Sequence, residues 1–175
     1  MSTLAWGPRV SPTFRVRTAE NCRALGVDPS WLMACMAFES GGSFRPAARN
    51  AAGSGAVGLI QFMPQTAAAL GTTTEALAGM TAEDQLDYVR RYFEPRRGEL
   101  RTLGDLYMAI LWPAGIGKPD SHVLFDRSDP DHPAHYVQNA GLDLDKDGRI
   151  TRGEACARVK AKLAEGLEPH NAFEI

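Results

Sequence analysis

The sequence predicts an all-α protein folded as one domain, on three observations. Ala is abundant while β-branched residues are sparse and scattered, a composition that favours helix over strand. No stretch sustains the apolar/polar alternation of a half-buried strand. Helix-start signals, a Ser, Thr or Asp followed by Pro or by an acid three residues on, recur along the whole chain. At 175 residues and 44% hydrophobic content the chain is long enough to bury one core without disulfide staples.

In order, Ser11-Pro12 is an N-cap and first helical residue for a helix running to Leu25, closed by Gly26. Asp28-Pro29 repeats the start signal, and the segment it opens, Trp31 to Phe38, is apolar on every side, as expected of a helix enclosed by the rest of the fold. From Phe44 to Gly58 the residues are Ala, Gly, Ser and Arg without a period, which predicts a loop along a cleft. A short helix over 64–70 stops at Gly71. Thr72-x-x-Glu75 and Thr81-x-x-Asp84 resemble capping boxes, the second opening an amphipathic helix through Phe93 that Pro95 ends. Thr102 to Trp112 is a further helix stopped by Pro113. Residues 113–133 hold four prolines and are expected to be loop, with one helical turn near Ser121 to Phe125. A short helix over 135–140 and a last one over 152–165 complete the set. There is no internal repeat.

Charge narrows the function classes. The formal balance is −2, which argues against a nucleic-acid partner. It is a split balance: residues 1–60 carry six Arg against three acids, and residues 61–175 carry thirteen basic against eighteen acidic side chains. The longest apolar run, 31–38, is less than half of a bilayer span, so no membrane anchor is expected. Residues 1–12 lack the basic and apolar regions of a secretory signal, which predicts synthesis in a bacterial cytoplasm. Cys22, Cys35 and Cys156 are unpatterned and fall in helices, as buried reduced thiols do.

Glu39 is out of keeping with the apolar helix that it ends. Desolvation by its neighbours, and the negative end of the helix dipole, both raise a carboxyl pKa, and a carboxyl that keeps its proton near neutrality is a general acid. The plainer expectation for a Glu in this place is to point to water or to bind the backbone of Ser40-Gly41-Gly42.

Two further segments add a resemblance. Phe38-Glu39-Ser40, followed by Gly55-Ala56-Val57-Gly58-Leu59-Ile60-Gln61-Phe62-Met63-Pro64-Gln65-Thr66-Ala67, is similar to the Glu-Ser and Gly-Leu-Met-Gln-x-x-Pro-x-Thr-Ala motifs of soluble lytic transglycosylases and goose-type lysozymes. Arg9 to Pro12, Gly26 to Pro29, Met80 to Phe93 and Tyr107 to Pro119 resemble the single-domain, phage-associated version. The resemblance implies a lysozyme-like helical fold that cleaves the β-1,4 bond between N-acetylmuramic acid and N-acetylglucosamine in peptidoglycan, acting on the cell wall as an endolysin or virion enzyme. It implies Glu39 as the catalytic acid, Gly58, Gln61 and Met63 as cleft lining, and Ser40 as the residue that orients the acid or the departing sugar. Where the family usually has Ala-Tyr-Asn-x-Gly this chain has Leu111-Trp112-Pro113-Ala114-Gly115. A hydroxyl near Glu39 is then expected from Tyr107 or from Tyr136 in His135-Tyr136-Val137-Gln138, with Tyr136 favoured and Trp112 as a further sugar contact.

Glycosidases ordinarily use two carboxylates. Between Ser40 and Thr74 there is no Asp or Glu, so a second carboxylate has to come from later in the chain, with Asp105, Asp120 and Asp126 as the candidates. Without one, the compatible chemistry is substrate assistance and closure of a 1,6-anhydro ring. The alternatives are a muramidase that uses Glu39 with water, and a calcium-dependent wall-binding module without catalysis.

Near the C-terminus, Asp143-Leu144-Asp145-Lys146-Asp147-Gly148-Arg149-Ile150-Thr151-Arg152-Gly153-Glu154 fits the twelve-residue EF-hand loop. Asp143, Asp145 and Asp147 stand at the first, third and fifth positions, Gly148 at the sharp turn, the Arg149 carbonyl at the seventh, Thr151 at the water-bridged ninth, and Glu154 at the closing twelfth. One structural Ca²⁺ is expected, with no organic cofactor. Residues 1–133 are thus expected to form the lysozyme-like core and 134–175 a calcium loop and helix packed on the same domain, in a monomer whose partner is the peptidoglycan glycan strand.

Overall fold

A computed structural model describes residues 3–49 and 53–174. The helix made of Pro29–Glu39 (α2) is the axis of the fold, and the reason is its sequence. With Leu32, Met33, Ala34, Cys35, Met36 and Ala37 apolar in succession, no face can be left to water, and all six are fully buried. It packs against Pro12–Leu25 (α1), Leu103–Leu111 (α6) and, most extensively, Arg152–Gly166 (α8). The last helix is therefore part of the core, through Ala155, Cys156 and Val159.

The remaining helices are Pro64–Ala69 (α3), Thr74–Ala78 (α4), Ala82–Phe93 (α5) and Pro133–Asn139 (α7). Their ends follow the local chemistry. Ser11, Thr81, Thr102 and Thr151 accept the N–H three residues on, and Asp28 accepts that of Ser30. Thr151 and Glu154 form a full capping box. One start is displaced: Thr73, not Thr72, caps α4. Thr72 belongs to the end of α3, where its N–H returns to the Ala67 carbonyl and that of Gly71 to Ala68, a Schellman closure that leaves Thr72 unable to open the next helix.

Strands account for the main departures from the sequence expectation. Thr3–Ala5 (β1) pairs antiparallel with Ala172–Glu174 (β4), joining the two ends of the described chain. Val123–Asp126 (β2), expected as a helical turn, pairs antiparallel with Arg149–Thr151 (β3), with a bulge between Val123 and Phe125. Val123-Leu124-Phe125 is a short apolar run without alternation, and its pairing, Phe125 against Ile150, needs a partner 25 residues away that no local pattern announces. Val57 and Phe62 form an isolated bridge.

Cys22, Cys35 and Cys156 are buried and free. Among the described residues no helix is long and apolar enough to cross a membrane.

Candidate active site

Glu39 sits at the last residue of α2, and Ser40 ends the helix by donating its hydroxyl to the Met36 carbonyl at 2.7 Å. The same oxygen accepts the Phe44 N–H at 3.0 Å, so the chain turns away from the helix on a fixed course. Ser40 is buried in this turn, where its hydroxyl is spent on the backbone, and it is not among the residues that line the cleft.

The cleft has a volume of ≈ 760 Å³, within the range of small-molecule sites, and Phe38 and Glu39 form its floor. One wall is the glycine-rich loop, through Ser54, Ala56, Gln61 and Met63; residues 50–52 of the predicted loop lie outside the described residues. Gln61, held at a positive φ of 54°, donates its amide to the carbonyls of Ala48 and Gly58, each at 3.0 Å. Met63 is half exposed, an apolar surface for a ring to lie on. The second wall is α6, through Tyr107, Ile110 and Leu111. Tyr107 stands edge-on to Phe38, ring centroids 5.6 Å apart. The third comes from the C-terminal segment: Gln138, Asn139, Gly141 and Leu142, with Arg158 of α8.

Glu39 is the only carboxylate among the described residues that line this cleft. Asp105 and Asp120 instead pair with Arg152 at 2.9 and 2.8 Å, and Asp126 with Arg149 at 3.2 Å. Burial pushes the Glu39 carboxyl from its ordinary 4.5 up to about 7. Burial, and then the Glu39 charge, push the Tyr107 hydroxyl well above its ordinary range, so it stays a donor.

Besides Ser40, three expected substrate contacts are placed elsewhere. Tyr136 donates its hydroxyl to Asp143 at 2.6 Å, away from Glu39, because α7 runs directly into the acidic loop and presents that face to it. Trp112 packs edge-on to Phe125 and His135, at 5.2 and 5.1 Å between centroids, in the cluster between β2 and α7. Gly58 acts through the backbone: at φ 88° it donates to the Ala48 carbonyl at 2.8 Å, and a Cβ there would collide with Gln85. Gln85, fully buried on α5, accepts the Leu59 N–H at 2.7 Å and donates to the carbonyls of Leu77 and Pro46 at 2.9 and 3.1 Å. Only its place as a polar residue on the inner face of an amphipathic helix could have marked it. Arg158 had no sequence signal at all.

The acidic loop is the second cluster. Oxygens of Asp143, Asp145 and Asp147 lie within 4.8 Å of one another. Asp143 accepts the N–H groups of Lys146 and Gly148 at 2.8 and 3.1 Å, and the Tyr136 hydroxyl beside it holds its carboxyl below the ordinary range. Glu154 reaches back over the loop, accepting the Leu144 N–H at 3.0 Å with one oxygen and the Thr151 N–H at 2.9 Å with the other. An all-oxygen, carboxylate-rich set fits a hard divalent cation and not a thiophilic or imidazole-preferring metal.

Residues 18–88 match the family described as the Transglycosylase SLT domain. No curated protein is significantly similar to the chain. The matched stretch runs from α1 into α5 and holds Glu39, the glycine-rich wall and Gln85; α6, α7 and α8, which complete the cleft, lie beyond it. The mostly helical architecture fits a lysozyme-like fold.

Proposed function

We propose that the protein, an enzyme acting on peptidoglycan through its SLT domain, cleaves the β-1,4 bond between N-acetylmuramic acid and N-acetylglucosamine with Glu39 as its single acid and base, releasing 1,6-anhydro products. The observation that carries this reading is the solitary carboxylate: the described lining residues hold Glu39 and no second acid to activate water or attack the sugar. Glu39, protonated near neutrality, gives its proton to the glycosidic oxygen as the C1–O bond breaks. The substrate's own N-acetyl carbonyl oxygen takes up the positive charge that develops at C1. Glu39, now a carboxylate, removes the proton of the C6 hydroxyl, whose oxygen closes on C1 and displaces the acetamido oxygen. No water is consumed and the acid is restored.

Tyr107 stands on the second wall against the Phe38 floor, and Gln61 and Met63 present a polar edge and an apolar platform to the sugar. Mass spectrometry of the muropeptides tests the reading. Anhydro-ended fragments are expected; fragments heavier by one water, with reducing ends, make the protein a muramidase, and retention on sacculi without release makes it a binding module. The phage-type role rests on the resemblance of the segments flanking the motifs.

The acidic loop is proposed to hold one Ca²⁺, through Asp143, Asp145, Asp147, the Arg149 carbonyl and Glu154, with Thr151 acting by way of water. Its role is structural, since the loop ties α7 to the start of α8. A ligand at a hundred times its Kd adds about 2.7 kcal/mol of stability. Calcium is expected to raise the thermal midpoint of the protein and to leave that of Asp145→Ala unmoved; an unmoved midpoint in the parent discards the site.

A further inference from the structure

We propose that Arg158 is an anion subsite of the Glu39 cleft, taking a carboxylate carried on the side chain of the muramyl residue. The inference rests on the reading of the cleft as a glycan site and names what its third wall recognises. Arg158 projects from α8 into the wall formed by Gln138, Asn139, Gly141 and Leu142, and it is the only charged group besides Glu39 among the described lining residues. Arg158 is exposed, and one terminal nitrogen donates to the Gly141 carbonyl at 2.7 Å, which anchors the guanidinium at one point without neutralising it. Among the described residues no carboxylate pairs with it. Glu154, one turn earlier on the same face, has both oxygens committed to the backbone of the acidic loop.

Glu39 cannot serve as its counter-ion while it holds its catalytic proton. The cleft therefore carries an unmatched positive charge at its rim, with the rest of a planar donor fork free for a bidentate acceptor. The charge is felt inside the site, since it opposes the upward shift of the Tyr107 hydroxyl. A glycan of N-acetylated sugars alone offers no anion. Muramic acid does, on its lactyl ether or on the peptide attached to it.

The test is binding to the Glu39→Gln protein, in which the ligand survives, with and without Arg158→Ala. Three soluble probes separate the sources: a peptide-bearing glycan oligomer, the same oligomer stripped by an amidase so that only the lactyl carboxylate remains, and chitotetraose, which has neither. Arg158→Ala is expected to weaken the acidic ligands about tenfold and to move chitotetraose by less than about twofold, with Arg158→Lys intermediate. Loss confined to the stripped probe assigns the lactyl carboxylate, which is amide-bonded in the peptide-bearing one; loss confined to the peptide-bearing probe assigns a carboxylate of the peptide; loss on both shows that the guanidinium takes either anion. Equal loss on all three, or none on either acidic probe, overturns the subsite and leaves the glycan cleft standing. Binding of none of the three by the Glu39→Gln protein overturns the glycan reading itself.

Discussion

The side-chain carbonyl of Gln85 accepts the backbone N–H of Leu59 at 2.7 Å, and this bond fixes the turn from which Gln61 and Met63 reach the cleft. Gln85 is fully buried and its amide is spent on Pro46 and Leu77. Replacing it by Leu strands one donor and two acceptors in the interior. We expect Gln85→Leu to lower stability by about 2–4 kcal/mol in urea unfolding, and to lower turnover at temperatures where the variant is folded. Gly58→Ala, which sets a Cβ against Gln85 at a positive φ, is expected to cost about 1–3 kcal/mol by the same measurement.

Glu39→Gln is expected to remove turnover by about a hundredfold to ten-thousandfold in a sacculus-clearing assay while the circular dichroism spectrum stays parental. A second readout follows from burial. Because burial raises the Glu39 carboxyl from 4.5 to about 7, ionising it costs more in the folded than in the unfolded chain. The parent therefore loses stability as pH rises through this window. Glu39→Gln should have the higher thermal midpoint at pH 8, and the gap should narrow below pH 7 and close near pH 4.5. Parental activity is expected to fall above about pH 7 as the acid form is lost.

The buried pair of Asp105 and Arg152 joins the second wall of the cleft to the start of α8. Burial alone would raise the Asp105 carboxyl, but the Gly117 N–H, the Thr102 hydroxyl and the Arg152 guanidinium together hold it below the ordinary range. Gly104 leaves room for the guanidinium, which a Cβ would approach to 2.7 Å. A depressed carboxyl contributes stability above its unfolded pKa and loses it as pH falls through the folded value. Asp105→Asn is expected to cost about 1–3 kcal/mol at pH 7, since it removes the buried partner of Arg152 and leaves the guanidinium only the exposed Asp120 as counter-ion. The difference from the parent should shrink in acid unfolding below pH 4.

Tyr107 and Tyr136 separate the two sites. Tyr107 lines the Glu39 cleft from its second wall, and Tyr136 is bonded to Asp143. Tyr107→Phe is expected to lower kcat about tenfold with little change in KM, the pattern of a contact made in the transition state. Tyr136→Phe is expected to act on the calcium dependence of the thermal midpoint, moving it to higher concentration. A drop in kcat for Tyr136→Phe at saturating calcium would return that residue to the catalytic cleft.

By itself the sequence determined whatever is governed by residues three or four apart. The caps at Ser11, Asp28, Thr81, Thr102 and Thr151, the stop at Gly26, the enclosure of α2 and the spacing of the three loop aspartates are all local chemistry. So is the placement of Glu39 at the end of an apolar helix, from which its raised pKa follows. Tertiary structure alone decided the pairing of Val123–Asp126 with Arg149–Thr151, the diversion of Tyr136 to Asp143, the assignment of Asp105 and Asp120 to Arg152, and the third wall that brings Arg158 into the same cleft as Glu39. A hydrogen-bonding group accepts any partner of the right polarity. Which partner it meets depends on how the helices pack around α2, and that is settled by the burial of the whole core at once.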